Sequence, residues 1–445
     1  MPVQVSATQV SISRFRYVRR PCRRVERVLV PENPVITNDA VLLGLLMLTL
    51  GAVFTIYSSN RPAVQKFCKF VPALLLCYFI PSLYNSFNLI DAENSKLYFV
   101  ASRYLLPACL VLLTLSIDLP SVLKLGYKAI VMFLTGTVGI LIGGPLAILA
   151  VSAISPEIVG GSGPDAVWRG LTTVAGSWIG GGANQAAMKE VFDVSDALFS
   201  QMVAVDVIWA NIWLALLLLA AGQAARIDAW MRADTRAIED LKRRVEAFHD
   251  EHAKLLDFPD LIKMCALAFG ITGLAHALAG AIVPWIRDAA PVLERLSLTS
   301  EFFWIVVIST TGGLVLSFTR ARQLEGAGAS TVGSGFLYVL IATIGMKMDV
   351  MAIFDNPGLF LVGGIWIGIH AAALLLMARL LRAPVFYLAV GSQANVGGAA
   401  SAPVVASAFH PSLAPVGVLL AVLGYAIGTY AAWICGQLMR LAAPA

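Results

Sequence analysis

The sequence predicts an all-α polytopic membrane protein made of two duplicated helical repeats, each interrupted by a discontinuous helix. Three observations carry that expectation. Of 445 residues, 58% are hydrophobic and 13% charged, with a mean hydropathy of +0.79, far from the balance of soluble domains. Apolar runs of roughly 18–25 residues recur along the chain, each long enough to cross a ~30 Å hydrocarbon core as a helix. The period-two alternation of a membrane barrel is absent, which leaves helices as the spanning solution.

The elements follow in order. Residues 1–37 form a basic N-terminal tail carrying Arg14, Arg16, Arg19, Arg20, Arg23, Arg24 and Arg27. No apolar core and small-residue cleavage site follow those charges, so a secretory signal is not expected. A cytoplasmic tail obeying the positive-inside rule is one reading. An Arg- and Ser-rich organelle transit peptide is the other. Nothing elsewhere in the chain suggests a nucleic-acid partner.

The first membrane repeat is placed at 38–221, with candidate spans near 38–58, 66–86, 98–117, 128–153, 168–190 and 198–221. A linker at 222–258 follows, in which Ile238, Leu241, Val245, Phe248 and Leu255 keep helical spacing among charged neighbours. That pattern predicts a cytoplasmic amphipathic helix. The second repeat, 259–445, holds spans near 259–286, 301–318, 328–348, 357–381, 384–408 and 412–439. Lys66, Lys69, Lys124 and Lys128 sit awkwardly with the orientation that the later Arg residues favour. Six cysteines lack CxxC spacing and read as small buried thiols.

The duplication rests on two phrases 215 residues apart, AGSWIGGGANQAA at 175–187 and VGSQANVGGAASA at 390–402. Each is preceded by a span ending in Asp (LSIDLP at 115–120, MKMDVM at 346–351), then a Gly-rich span (GTVGILIGGP at 136–145, GGIWIGIH at 363–370). A long final span follows each phrase, and four elements in one order indicate an internal repeat. Three successive glycines lower helix propensity by about 1 kcal/mol each, and amides are costly in hydrocarbon. Small residues for close helix packing are one explanation. Unwinding into half-helices around a binding pocket is the other, and paired interruptions favour it. Pro403 adds a further break in backbone bonding.

Candidate site residues are therefore Ser177, Gly181, Asn184 and Gln185 in the first phrase and Ser392, Gln393 and Asn395 in the second. Asp206 lies about eight residues inside an apolar run. A carboxylate there costs at least ~2.5 kcal/mol, which makes it a functional candidate. Burial favours its protonated form and a bound cation its ionised form, as a proton- or sodium-coupled carrier requires. His370 is the second ionisable candidate. A sodium site at Asp206, Asn184 and Asn395 is a further expectation. Asp118 and Asp349 read as interfacial, Arg103 as snorkelling, Lys189 and Glu190 as lining or flanking the pocket, and Tyr425 and Thr429 as packing or as hydroxyls turned to it. No HExxH, GxSxG or phosphate loop occurs, and Asp118 and Asp206 lack a GxGD-like context, so an enzyme is not expected.

The phrases LLPACLVLLTLSIDLPSVLKLG, AGSWIGGGANQAAMKE, VGSQANVGGAASAP and LGYAIGTY resemble the membrane family known as domain of unknown function 819 from Asn38 onward. That family is grouped with the cation/proton antiporters and bile-acid/sodium symporters. The resemblance implies inverted repeats whose broken helices cross at an ion site. It also implies an ion-binding carboxylate on the helix after the first broken helix, where Asp206 falls, and a basic residue before the second, where His370 falls. The paired Asp-Asp of some antiporters is missing, which argues against two-proton exchange.

The expected function is a secondary transporter moving a small organic anion or zwitterion with H⁺ or Na⁺. A Na⁺/H⁺ antiporter, a channel and a non-transporting membrane scaffold stay open as alternatives. The expected partners are the solute, membrane lipids and a second copy of the chain as a homodimer, with no resident cofactor beyond the coupling ion. The bacterial inner membrane is the expected location, or an organelle membrane if the tail is a transit peptide.

Overall fold

The computed structural model describes residues 33–71, 73–234, 256–290, 298–348, 356–410 and 413–444. Nearly all of the basic tail, the amphipathic segment from Ile238 to Leu255, and Asp349 therefore lie outside the described residues. The described chain is all-α, with a single isolated bridge pairing Ile36 and Ile90. It divides into two compact units, Met1–Tyr98 with Ala342–Val350, and Phe99–Ile341 with Met351–Ala445.

In the first unit, α1 (Asp39–Tyr57) is capped by Asn38, whose side chain accepts from the N–H groups of Ala40 and Val41. This satisfies two of the donors that a helix start leaves unpaired. Two shorter helices follow, α2 (Pro62–Phe70) and α3 (Ala73–Ser86). Thr49 on α1 and Tyr84 on α3 share a hydroxyl hydrogen bond of 3.0 Å.

The second unit opens at Phe99, within α4 (Leu97–Leu115). A π-helical turn at Ala101–Leu105 interrupts it, and every residue from Leu106 to Leu115 is buried, the mark of a helix surrounded by others. Next come α5 (Leu119–Lys124), α6 (Tyr127–Ser152), α7 (Val167–Gly180), α8 (Gly182–Val191), α9 (Asp196–Gly222) and α10 (Ala224–Met231). Then follow α11 (Phe258–Ala289), α12 (Glu301–Ser317), α13 (Ala329–Gly345) and α14 (Gly358–Leu380). The chain closes with α15 (Val385–Val396), α16 (Gly398–Phe409) and α17 (Ala414–Ala442).

Twelve spans were expected, the two phrase-bearing ones discontinuous, and the described residues hold seven helices long and apolar enough to cross a membrane, or up to nine with bent pairs. Of the other five stretches three break, and two, α12 and α13, are single helices of 17 residues. Residues 66–86 divide into α2 and α3. Helix α12 turns by 94° into a 3-10 segment at Arg320–Ala327 only after the expected span has ended. The two phrase-bearing stretches each split at glycine, into α7 and α8 at Gly181 and into α15 and α16 at Gly397 and Gly398.

The two Gly-rich spans pack on one another. A Cβ built at Gly139 on α6 would lie 3.2 Å from the Cα of His370 on α14, and one at Gly143 would lie 2.7 Å from the Trp366 ring. Only a bare backbone allows this approach. Asp228 on α10, where the linker starts, accepts the Val385 N–H at 2.7 Å, so the described start of the linker is tied to α15.

Asp118 stands outside the spans, as expected. It caps α5 by accepting from the Ser121 N–H and hydroxyl and pairs with Arg322. Burial pushes its carboxyl up, but the Ser121 hydrogen bonds and the Arg322 guanidinium outweigh this and hold it below the usual Asp value. Its stabilisation is therefore complete above the ordinary carboxylate range and is lost as pH falls through the lowered value. In detergent, wild type should melt above Asp118→Asn at neutral pH, and acidification should close that gap. A gap unchanged by pH would contradict the pairing.

Candidate functional site

Gly181 has φ +75° and ψ −173°, a backbone region reserved for glycine. The chain folds sharply there. A Cβ on Gly176 would lie 2.6 Å from the carbonyl oxygen of Asn184, although eight residues of continuous helix span ~12 Å. This folding brings Ser177 and Gln185, from opposite sides of the turn, onto one carboxylate. Asp206 Oδ2 accepts from the Ser177 hydroxyl at 2.6 Å and from Gln185 Nε2 at 2.9 Å. Its Oδ1 accepts from Trp178 Nε1 at 2.7 Å. Asp206 is 4% exposed. Among the described residues no Lys, Arg or His lies within ion-pairing distance of it. Three neutral donors suit an ionised carboxylate geometrically, yet its charge has no local counter-charge.

The second phrase gathers a different set. His370, fully buried, approaches the Gly136 carbonyl through Nδ1 at 3.0 Å and the Ser392 hydroxyl through Nε2 at 2.7 Å. A carbonyl only accepts, so Nδ1 carries the proton and Nε2 accepts from Ser392. Trp213 Nε1 in turn donates to Ser392 Oγ at 2.7 Å. Ser177 and Ser392, equivalent in the repeated phrase, therefore hold the two ionisable candidates. Asp206 and Trp213 both belong to α9, seven residues apart, so one helix touches both phrases.

The asparagines are held in matching clamps. Asn184 Nδ2 donates to the carbonyls of Gly180 and Tyr425, and its oxygen accepts from Thr429 at 2.6 Å. Asn395 Nδ2 donates to the carbonyls of Gly391 and Phe133, and its oxygen accepts from Thr137 at 2.8 Å. In each clamp the threonine lies four residues after the distant residue, Tyr425 or Phe133, whose carbonyl accepts from the amide. Thr310 extends the first clamp by a hydroxyl contact to Thr429 at 3.2 Å.

The structure thus brings together Ser177, Gln185 and Asp206, and separately Ser392 and His370, while Asn184 and Asn395 each occupy a clamp. Gln393 reaches Ser401. A Cβ at Gly424 on α17 would stand 2.7 Å from the Ile179 carbonyl oxygen and 3.6 Å from that of Ala394, so both phrases converge on that glycine. Arg103 pairs with Glu190 at 3.2 Å and lies over the Phe302 ring. Lys189 pairs with Asp196 at 2.8 Å. An apolar groove of about 340 Å³, lined by Ile271, Ile308, Thr311 and Gly312 among others, involves none of these groups. Sequence reasoning missed the indole donors of Trp178 and Trp213, which read as bulk apolar residues. Their placement beside a phrase serine and on the Asp206 helix was the available signal.

A family model described as protein of unknown function (DUF819) matches residues 44–442. The uncharacterized membrane protein YjcL of Bacillus subtilis (strain 168) is 25% identical over 351 residues, covering 77% of this chain and 84% of that protein.

Proposed function

The chain belongs to the DUF819 family of integral membrane proteins, and from that premise we propose that it is a secondary transporter. It moves a small organic anion or zwitterion coupled to H⁺ or Na⁺, and Asp206 carries the coupling ion. The observation that carries the reading is the isolated charge of Asp206. A carboxylate inside a membrane span, saturated by three neutral donors and without a cationic partner among the described residues, needs a mobile positive charge. A proton or sodium ion supplies it. Donors from both sides of the Gly181 turn meet at Asp206, so neutralising it loosens the fold of the first phrase.

The solute class follows from the two breaks. Helix α8 starts at Gly182 and α16 at Gly398, and the first-turn N–H groups of such half-helices favour carboxylates. Reconstituted vesicles holding a pH-sensitive dye test the reading. Proton movement that needs an added carboxylate or amino-acid solute supports a solute carrier. Movement with Na⁺ alone favours the Na⁺/H⁺ antiporter instead, and silence across a broad solute panel removes the transporter reading.

A further inference from the structure

We propose that the second break binds a small monovalent cationic group, either sodium or the primary ammonium of a solute, through the side-chain carbonyl of Gln393. Gln393 is 1% exposed, and its Oε1 has no hydrogen-bond partner among the described residues. A buried acceptor left unpaired is costly, and its presence calls for something that fills it. The amide is fixed at the break. Its Nε2 donates to Ser401 Oγ at 2.7 Å, eight residues on and in the next helix. A Cβ at Gly397 would fall 2.0 Å from Gln393 Nε2 and 1.8 Å from Ser401 Oγ, so the amide lies directly over the bare Cα of Gly397. Helix α15 ends at Val396, and the terminal carbonyls of a helix carry partial negative charge.

An oxygen acceptor at the C-terminal end of α15 suits a cation, whereas the N–H groups that open α16 across the same break are the ones that favour a carboxylate. With no carboxylate in the set, the acceptor suits a monovalent cation, because Ca²⁺ and Mg²⁺ draw on charged oxygens. The amide oxygens of Asn184 and Asn395 are not equivalent alternatives, since threonine hydroxyls already occupy them. Asp206 belongs to the other phrase, with both oxygens accepting hydrogen bonds. Two cationic groups are therefore handled at two places, one by a carboxylate and one by a neutral carbonyl. The place of this site in a transport cycle rests on the transporter reading; binding itself does not.

Thermal unfolding of the purified protein in detergent tests the site, with NaCl or methylammonium chloride titrated against choline chloride at constant ionic strength. At least one of the two cations should raise the wild-type Tm. Sodium alone identifies an inorganic ion, and methylammonium alone identifies a solute ammonium. Gln393→Leu and the longer Gln393→Met should melt at or above wild type without cation, since they remove an unpaired acceptor. Both should bind about 10- to 100-fold more weakly, whereas Gln393→Glu should bind more tightly. Asp206→Asn should keep the shift. The site is overturned if neither cation moves wild type, or if Gln393→Leu responds fully. A shift lost in Asp206→Asn and kept in Gln393→Leu places the cation on Asp206, which overturns this site and leaves the proposed function standing.

Discussion

Asp206→Asn is expected to reduce coupled transport by at least ~100-fold while leaving the protein folded. Asparagine keeps the shape and one acceptor oxygen, so Trp178 retains its partner. The Ser177 hydroxyl can turn to accept from the new amide. Only the Gln185 amide loses its acceptor, at about 1–3 kcal/mol. What disappears is the charge, and with it any reason to take up a proton or sodium ion. Asp206→Ala removes the acceptor of all three donors and should melt well below Asp206→Asn. Transport in vesicles together with detergent melting separates the two effects. Coupled flux in Asp206→Asn equal to wild type would remove the carboxylate from the mechanism.

Gly424→Ala should be among the most damaging conservative changes in the chain. The added methyl would stand 2.7 Å from the Ile179 carbonyl oxygen, closer than such atoms approach, and the obstacle is backbone rather than a flexible side-chain end. Forcing the phrases apart should cost about 1–3 kcal/mol, seen as a lower Tm, and should impair transport out of proportion to that loss. Gly368→Ala is the control. Nothing lies within 4 Å of a Cβ there, and alanine is the better helix former by about 1 kcal/mol, so that variant should melt at or above wild type. Equal behaviour of the two variants would argue against tight convergence at α17.

These two residues mark how far the chain can be read before it folds. Asp206 was legible, because a charge inside an apolar run is costly wherever the run packs. The glycine–amide phrases were legible as interruptions, and both stretches do split there. Their detailed roles were not. Asn184 follows its turn while Asn395 precedes its own, so an equal-looking phrase places its amides on opposite sides of the break. The threonines that clamp them, Thr429 and Thr137, lie 245 and 258 residues away, and local pattern does not report such distances. Gly424 looked like one small residue among many, since only the approach of the Ile179 carbonyl gives it meaning. The span at 301–318 was legible as a helix, whereas the 94° turn that follows Ser317 was not, because hydropathy reads composition and not direction.

Helix α9 is fastened twice, by Asp206 to the first phrase and by Trp213 to the second, about 10 Å apart along a stiff rod. Pulling one fastening loose shifts or twists the rod, and the other must follow. A displacement at one fastening would thus need no relay of side chains to reach the other, because the rod itself joins them.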